Sequence, residues 1–173
     1  MQQETEWLYL AYGSNLNVSQ MQIRCPRAKI MGSFLLPNYK LVFRGVADIE
    51  ESEGDYCPVG LWRITVKCRE ALDRYEGYPT LYRRENIGGC MTYMMNSSNY
   101  AEPSFGYLET IKKGYRHFEL PEEYLSEAVD HAIENEDRQP LWSTPQRKGW
   151  NKSTSGWSSF EKLGFRSGKW WYE

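Results

Sequence analysis

Strand-like runs fill most of the first hundred residues and the longest helical patterns come only after them, an order that favours an α+β fold over alternating βαβ units. "WLYLAYG", Trp7 to Gly13, is a short apolar run of strand formers closed by a Gly-Ser-Asn turn, and it predicts a buried first strand. "AKIMGSFL" and "YKLVFRGVADI" predict two further strands, with Pro37 and Asn38 as the turn between them. The acidic "EESEGD" that follows reads as a solvated loop. "PVGLWRITV", Pro58 to Val66, alternates as a strand does. "LYRRENI" and "CMTYMMN" predict a hairpin around Gly88 and Gly89. The sheet these runs build is expected to be largely antiparallel or mixed.

Helices are marked by their ends. Asn17 can cap a helix through "NVSQMQIRC", which Pro26 stops. Thr65 is placed to cap a second helix through "KCREALDRYE", where Leu72 and Tyr75, three apart, are expected to face the core. Gly77 fits the position just past that helix, and Pro79 prevents its resumption. "GYLETIKKGYRHF" and "PEEYLSEAVDHAIENE" predict two more helices, the latter opened by Pro121 and an acidic first turn.

At 173 residues, without an internal repeat, the chain is expected to form one domain with a substantial core. The net charge of −2 gives no general reason to expect nucleic acid or an anionic membrane as partner. Charge is uneven, however: residues 1–139 carry −6 and residues 140–173 carry +4. That last segment holds five of the seven tryptophans, unlike a disordered linker, and is expected to be a basic extension packed on domain 1–139. Cys25, Cys57, Cys68 and Cys90 show no metal-ligand spacing, so no zinc site is expected. No run approaches the ~18 apolar residues of a membrane span, and no signal peptide is evident, which predicts a reduced cytoplasmic protein.

Two short stretches carry chemistry. In "YGSN", Tyr12 to Asn15, Gly13 permits a tight turn whose successive N–H groups can form a concave donor site for an anion or a polarised carbonyl. The same residues also suit a strand-ending turn with no ligand. Glu76 stands at the negative end of a predicted helix, where a carboxylate is disfavoured and holds its proton more tightly. That is the direction a general base needs near neutral pH, although an exposed glutamate that happens to end a helix would look the same. No Ser-His or Cys-His nucleophile lies nearby in sequence, so the chemistry would be proton transfer on a substrate that brings its own nucleophile.

From about Trp7 to about Ala132 the chain resembles the γ-glutamylcyclotransferase-like family, known also through its plant AIG2-like members. The resemblance rests on "YLAYGSNL", on "GVADI" followed by "PVGLWRI", on "LDRYEGYPTLYRR", and on "GYLETIKKG" with "LP" soon after. It implies a small closed or nearly closed β-barrel flanked by helices. It implies a loop of Tyr12, Gly13, Ser14, Asn15 and Leu16 that holds a γ-glutamyl group, Glu76 as acid/base, and Tyr82 and Tyr107 lining the pocket. The implied reaction is cyclisation of a small-molecule γ-glutamyl amide to 5-oxoproline with release of an amine, with no metal or cofactor, in a monomer or homodimer. "YGSNL" looks more like the branches acting on γ-glutamyl amino acids and amines than like the glutathione-specific branch. Tyr75 and Tyr78, beside the "EG" pair, are expected to shape the pocket. Two rival readings stay open on sequence: an inactive module binding a γ-glutamyl-like ligand, and an interaction protein acting through its basic, aromatic tail, which would suit single-stranded nucleic acid.

Overall fold

A computed structural model describes residues 5–136, so the 1–139 boundary and the tryptophan-rich extension lie outside the described residues. Five strands form one mixed sheet: β1 (Glu6–Ala11), β2 (Lys29–Phe43), β3 (Ala47–Thr65), β4 (Tyr82–Ile87) and β5 (Cys90–Met95). Their order is β2-β3-β1-β5-β4, with β1 parallel to β5 and the other neighbours antiparallel. The helices are α1 (Val18–Arg24), α2 (Val66–Tyr75), α3 (Phe105–His117) and α4 (Glu123–Asn135).

Most elements begin and end on the residues that local chemistry marks. The Asn17 side chain accepts a hydrogen bond from Gln20 N–H at the start of α1, and Thr65 accepts one from Cys68 N–H at the start of α2. Gly77 takes a left-handed φ of +63° just beyond α2. Gly88 and Gly89, both at positive φ, turn β4 into β5.

Three expectations are corrected. Pro37 and Asn38 make no turn: the chain runs on as one 15-residue strand, with an irregularity between Pro37 and Tyr39 where Asn38 takes a φ of +62°. β2 is an edge strand, where a proline's missing N–H is tolerated. The real turn lies at Arg44–Val46, with Gly45 at φ +80°. "EESEGD" is not a loop but belongs to β3, as an exposed irregular stretch in which Gly54 N–H reaches the Asn38 side chain. Finally, the sheet is open. Among the described residues its edges β2 and β4 share no ladder, and the segment after β5 meets the chain just past β2 through an isolated bridge between Ala101 and Arg44.

The arrangement fixes the site. β1 lies between β3 and β5, so Leu10 and Ala11 are buried and its end delivers the 13–16 loop inside the molecule. β3 runs antiparallel to β1 and ends beside its beginning, Thr65 opposite Glu6. The ten residues of α2 rise about 15 Å, close to the length of β1, so the helix returns Glu76 to the level of that loop. On the other side α3 packs on the loop itself. A Cβ on Gly114 would stand 2.5 Å from Leu16 Cβ and 2.6 Å from its backbone carbon, so only glycine allows so close an approach. Leu16, fully buried, fills the space beside Gly60 and Phe118.

Candidate active site

Where β1 ends, Ser14–Leu16 form one tight helical turn, closed by hydrogen bonds from Leu16 N–H to Gly13 O and from Asn17 N–H to Ser14 O. The first N–H groups of such a turn have no partner within it, and Ser14 and Asn15, which carry them, line a small cavity open to solvent. Gly13, Ser14 and Asn15 form one side of the cavity, Glu76 another, and Tyr12, Tyr82 and Tyr107 much of the rest. A side chain at Gly13 would meet Ala47 Cβ at 2.9 Å and the Tyr107 hydroxyl at 3.3 Å, so glycine is required for the loop to sit here. Leu16 is not among the lining residues; it lies behind the turn, in the core.

Glu76 caps the end of α2, its N–H returned to Leu72 O, and its side chain turns to the loop. The Asn15 side-chain amide donates to Glu76 Oε1 at 2.7 Å and to the Tyr9 hydroxyl at 2.8 Å. The amide's own oxygen accepts from Arg24 at 2.8 Å. Burial raises the Glu76 carboxyl to about 7, against the opposing pull of the Asn15 hydrogen bond and the Arg24 charge. The direction is the one expected from the helix end, but desolvation is its leading cause.

The tyrosines are held by backbone. Ala47, at the start of β3, donates its N–H to the Tyr107 hydroxyl at 3.1 Å, and its carbonyl accepts the Tyr82 hydroxyl proton at 2.9 Å. One peptide residue therefore gives the two phenols opposite polarity: Tyr107 keeps its proton to donate, whereas Tyr82 has committed its proton and offers lone pairs. Tyr12 likewise donates to the Tyr93 carbonyl, and Tyr93 to Asp73. Burial pushes Tyr107 up to about 12 and the Tyr82 hydroxyl further, so both remain protonated near neutral pH.

Tyr75 departs from expectation. It does not face the core with Leu72; it is 46 % exposed, its hydroxyl 3.0 Å from Ser14 Oγ and its ring under the Arg24 guanidinium. Tyr78 does not line the cavity either; its ring lies beneath Arg84. Sequence reasoning missed Tyr9, Tyr93, Ala47 and Arg24. A tyrosine set within the buried apolar runs of β1 and β5 was the available signal for the first two; Ala47 acts through its backbone, which no residue type announces. The four cysteines are buried free thiols, and among the described residues no three His, Cys, Asp or Glu side chains group to hold a metal ion. No helix of the described residues is long and apolar enough to cross a membrane.

Comparison with known proteins places the chain in a family. Residues 9–109 match the family model "Gamma-glutamyl cyclotransferase, AIG2-like". The chain is 30 % identical over 145 residues to the gamma-glutamylcyclotransferase of Mus musculus, covering 71 % of this chain and 77 % of the mouse protein. It is 29 % identical over 143 residues to that of Homo sapiens, covering 70 % and 76 %. A solved gamma-glutamyl cyclotransferase superposes with a TM-score of 0.60 at 22 % identity, over 92 % of this chain and 99 % of the other. YkqA from Bacillus subtilis superposes with a TM-score of 0.59 at 23 % identity, over 75 % of this chain and 55 % of that one. These two share the fold.

Proposed function

We propose, for a chain that belongs to the gamma-glutamyl cyclotransferase, AIG2-like family and is therefore read as an enzyme, that it cyclises γ-glutamyl amides to 5-oxoproline with Glu76 as general acid and base. The observation that carries this reading is the 2.7 Å hydrogen bond between Asn15 and Glu76, which joins the glutamyl-binding loop to the proton-transfer group in one cavity.

The substrate supplies both reactants. Its α-nitrogen attacks its own γ-carbonyl carbon, a C–N bond forms, and the bond to the leaving nitrogen breaks. Tethering the two reactants is worth roughly 7–11 kcal/mol when they are aligned, so the protein's part is to fold the glutamyl chain and move protons. Two protons leave the α-ammonium and the leaving nitrogen gains two, departing as an ammonium. Glu76, raised to about 7, accepts each in turn as a carboxylate and returns it to the leaving nitrogen as an acid.

The orphan N–H groups of Ser14 and Asn15, with the Tyr107 hydroxyl beside Gly13, suit the substrate carboxylate or the developing oxyanion. Tyr82, which offers lone pairs, suits the α-ammonium. The two branches that "YGSNL" resembles supply the substrates to try first: γ-glutamyl amino acids and γ-glutamylamines.

The test is a mass-spectrometric screen of γ-glutamyl amides for 5-oxoproline release by the wild type and by Glu76→Gln. We expect release by the wild type and a loss of roughly 100-fold or more in the variant. Binding of these amides without any release would instead leave a binding module, and full turnover by a folded Glu76→Gln protein would remove Glu76 from the reaction.

A further inference from the structure

Arg24 sits outside the cavity at the end of α1, yet its guanidinium makes three directed contacts that converge on the loop and on the end of α2. One nitrogen donates to Asn15 Oδ1 at 2.8 Å, another donates to Gln20 Oε1 at 2.6 Å, and the flat face lies 3.5 Å from the centre of the Tyr75 ring. Tyr75 in turn places its hydroxyl 3.0 Å from Ser14 Oγ. The last residue of α1 and the last residue of α2 thus close on the Ser14–Asn15 pair from outside.

The chemistry of the contact has one sense. A guanidinium only donates, so the atom it meets on Asn15 must be the amide oxygen. The NH₂ group is thereby turned inward, with one proton for Tyr9 and one for Glu76. With the amide reversed, its oxygen would face the carboxylate, and two acceptors would oppose each other. We infer that Arg24, seated on Tyr75, is a positioning residue that locks the Asn15 amide and through it orients the Glu76 carboxylate. The inference rests on the cyclisation reading of the same cavity for its catalytic consequence, but the locking itself can be read without turnover.

Electrostatics give the clamp a signature. The groups that face Glu76 from β1, β4, β5 and α3 are phenols, Tyr9, Tyr12, Tyr82, Tyr93 and Tyr107, all raised by burial and uncharged near neutral pH. Arg24 is the cation that acts on its titration. A residue that merely braced the loop would, when removed, lower activity at every pH alike. Loss of this one moves the pH at which Glu76 titrates.

The experiment compares wild type, Arg24→Ala, Arg24→Lys and Tyr75→Leu, each checked for folding by circular dichroism and thermal unfolding. The Glu76 carboxyl is followed by carbon-13 NMR in selectively labelled protein, its signal assigned with Glu76→Gln, and 5-oxoproline release is measured as kcat and KM against pH. We expect Arg24→Ala to raise the Glu76 midpoint by roughly one pH unit, to move the acid limb of kcat with it, and to lower kcat by roughly 10- to 100-fold. Arg24→Lys retains the charge but not the fork that holds the amide, so the midpoint still rises, by less than in Arg24→Ala, while kcat remains reduced; a midpoint equal to wild type would show that only the charge acts. Tyr75→Leu, which removes the platform, gives a smaller shift in the same direction. An unchanged midpoint in a folded Arg24→Ala protein overturns the inference. So does a fall in kcat that is uniform across pH. Absence of any 5-oxoproline release by the wild type strikes the functional reading instead, and the NMR midpoint still decides the clamp.

Discussion

Asn15 and Glu76 stand 61 positions apart in the chain, and their side chains meet at 2.7 Å. Replacing Asn15 by Asp keeps the shape of the residue but sets a second carboxylate against the first, while Arg24 is drawn to the new charge. Like charges at this range raise the affinity of one of the pair for a proton. Asn15→Asp is therefore expected to move the acid limb of kcat/KM upward by more than about one pH unit and to cut activity at pH 7 by roughly 100-fold, with recovery at higher pH. A pH series on the purified variant checks both.

Glu76 also links stability to pH. Its carboxyl lies near 7 in the folded chain against an ordinary 4.5, so the folded state holds a proton that the unfolded chain releases. Between those two values stability falls as pH rises, and above 7 the ionised group costs at most about 3 kcal/mol. Glu76→Gln removes that cost while keeping a hydrogen-bond acceptor for Asn15. The variant is expected to be more stable than wild type at pH 8, with the difference vanishing by pH 4.5. Urea unfolding at the two pH values measures it; a variant less stable at pH 8 would contradict the assigned direction.

Gly114 gives a prediction about the loop. A methyl group there would overlap Leu16, both its side chain and its backbone, so α3 or the Ser14–Leu16 turn must move. Gly114→Ala is expected to destabilise the fold by roughly 1–3 kcal/mol, despite alanine's higher helix propensity. Because the turn carries the proposed glutamyl-binding donors, KM should rise as well. Denaturant midpoints and substrate titrations report the two effects separately.

What was legible in the sequence is what local chemistry decides. Asn17 and Thr65 announce helix starts through side-chain oxygens, and Gly77 announces a helix end through its backbone, so α1 and α2 fall where the residues say. Pro37 and Asn38 misled because turn residues are also tolerated in an irregular edge strand, and edge position is a property of the whole sheet. Tyr75 misled because spacing from Leu72 gives the face of a helix but not the pull of Arg24 and Ser14 on its ring and hydroxyl. The loop and Glu76 could be singled out by pattern and by resemblance. Arg24 and Ala47 could not, since the one acts through a second residue and the other through its peptide group.

The Ala47 peptide supplies the last prediction. Its N–H is accepted by Tyr107 and its carbonyl accepts from Tyr82, so the first phenol is left as a donor to the cavity and the second as an acceptor. If a γ-glutamyl head group binds there, its carboxylate belongs at Tyr107, beside the loop amides, and its ammonium at Tyr82. Two truncated ligands separate these ends: glutaric acid monoamide, which has the carboxylate and lacks the α-amine, and 4-aminobutanamide, which has the amine and lacks the carboxylate. Tyr107→Phe is expected to weaken inhibition by the monoamide roughly tenfold and to leave 4-aminobutanamide nearly unaffected. Tyr82→Phe should do the reverse. Each variant also leaves one half of the Ala47 peptide without its partner, at a stability cost of roughly 1–3 kcal/mol, so inhibition must be measured well below the melting temperature of both. Equal losses for the two ligands in either variant would show that the tyrosines shape the cavity without polarising it.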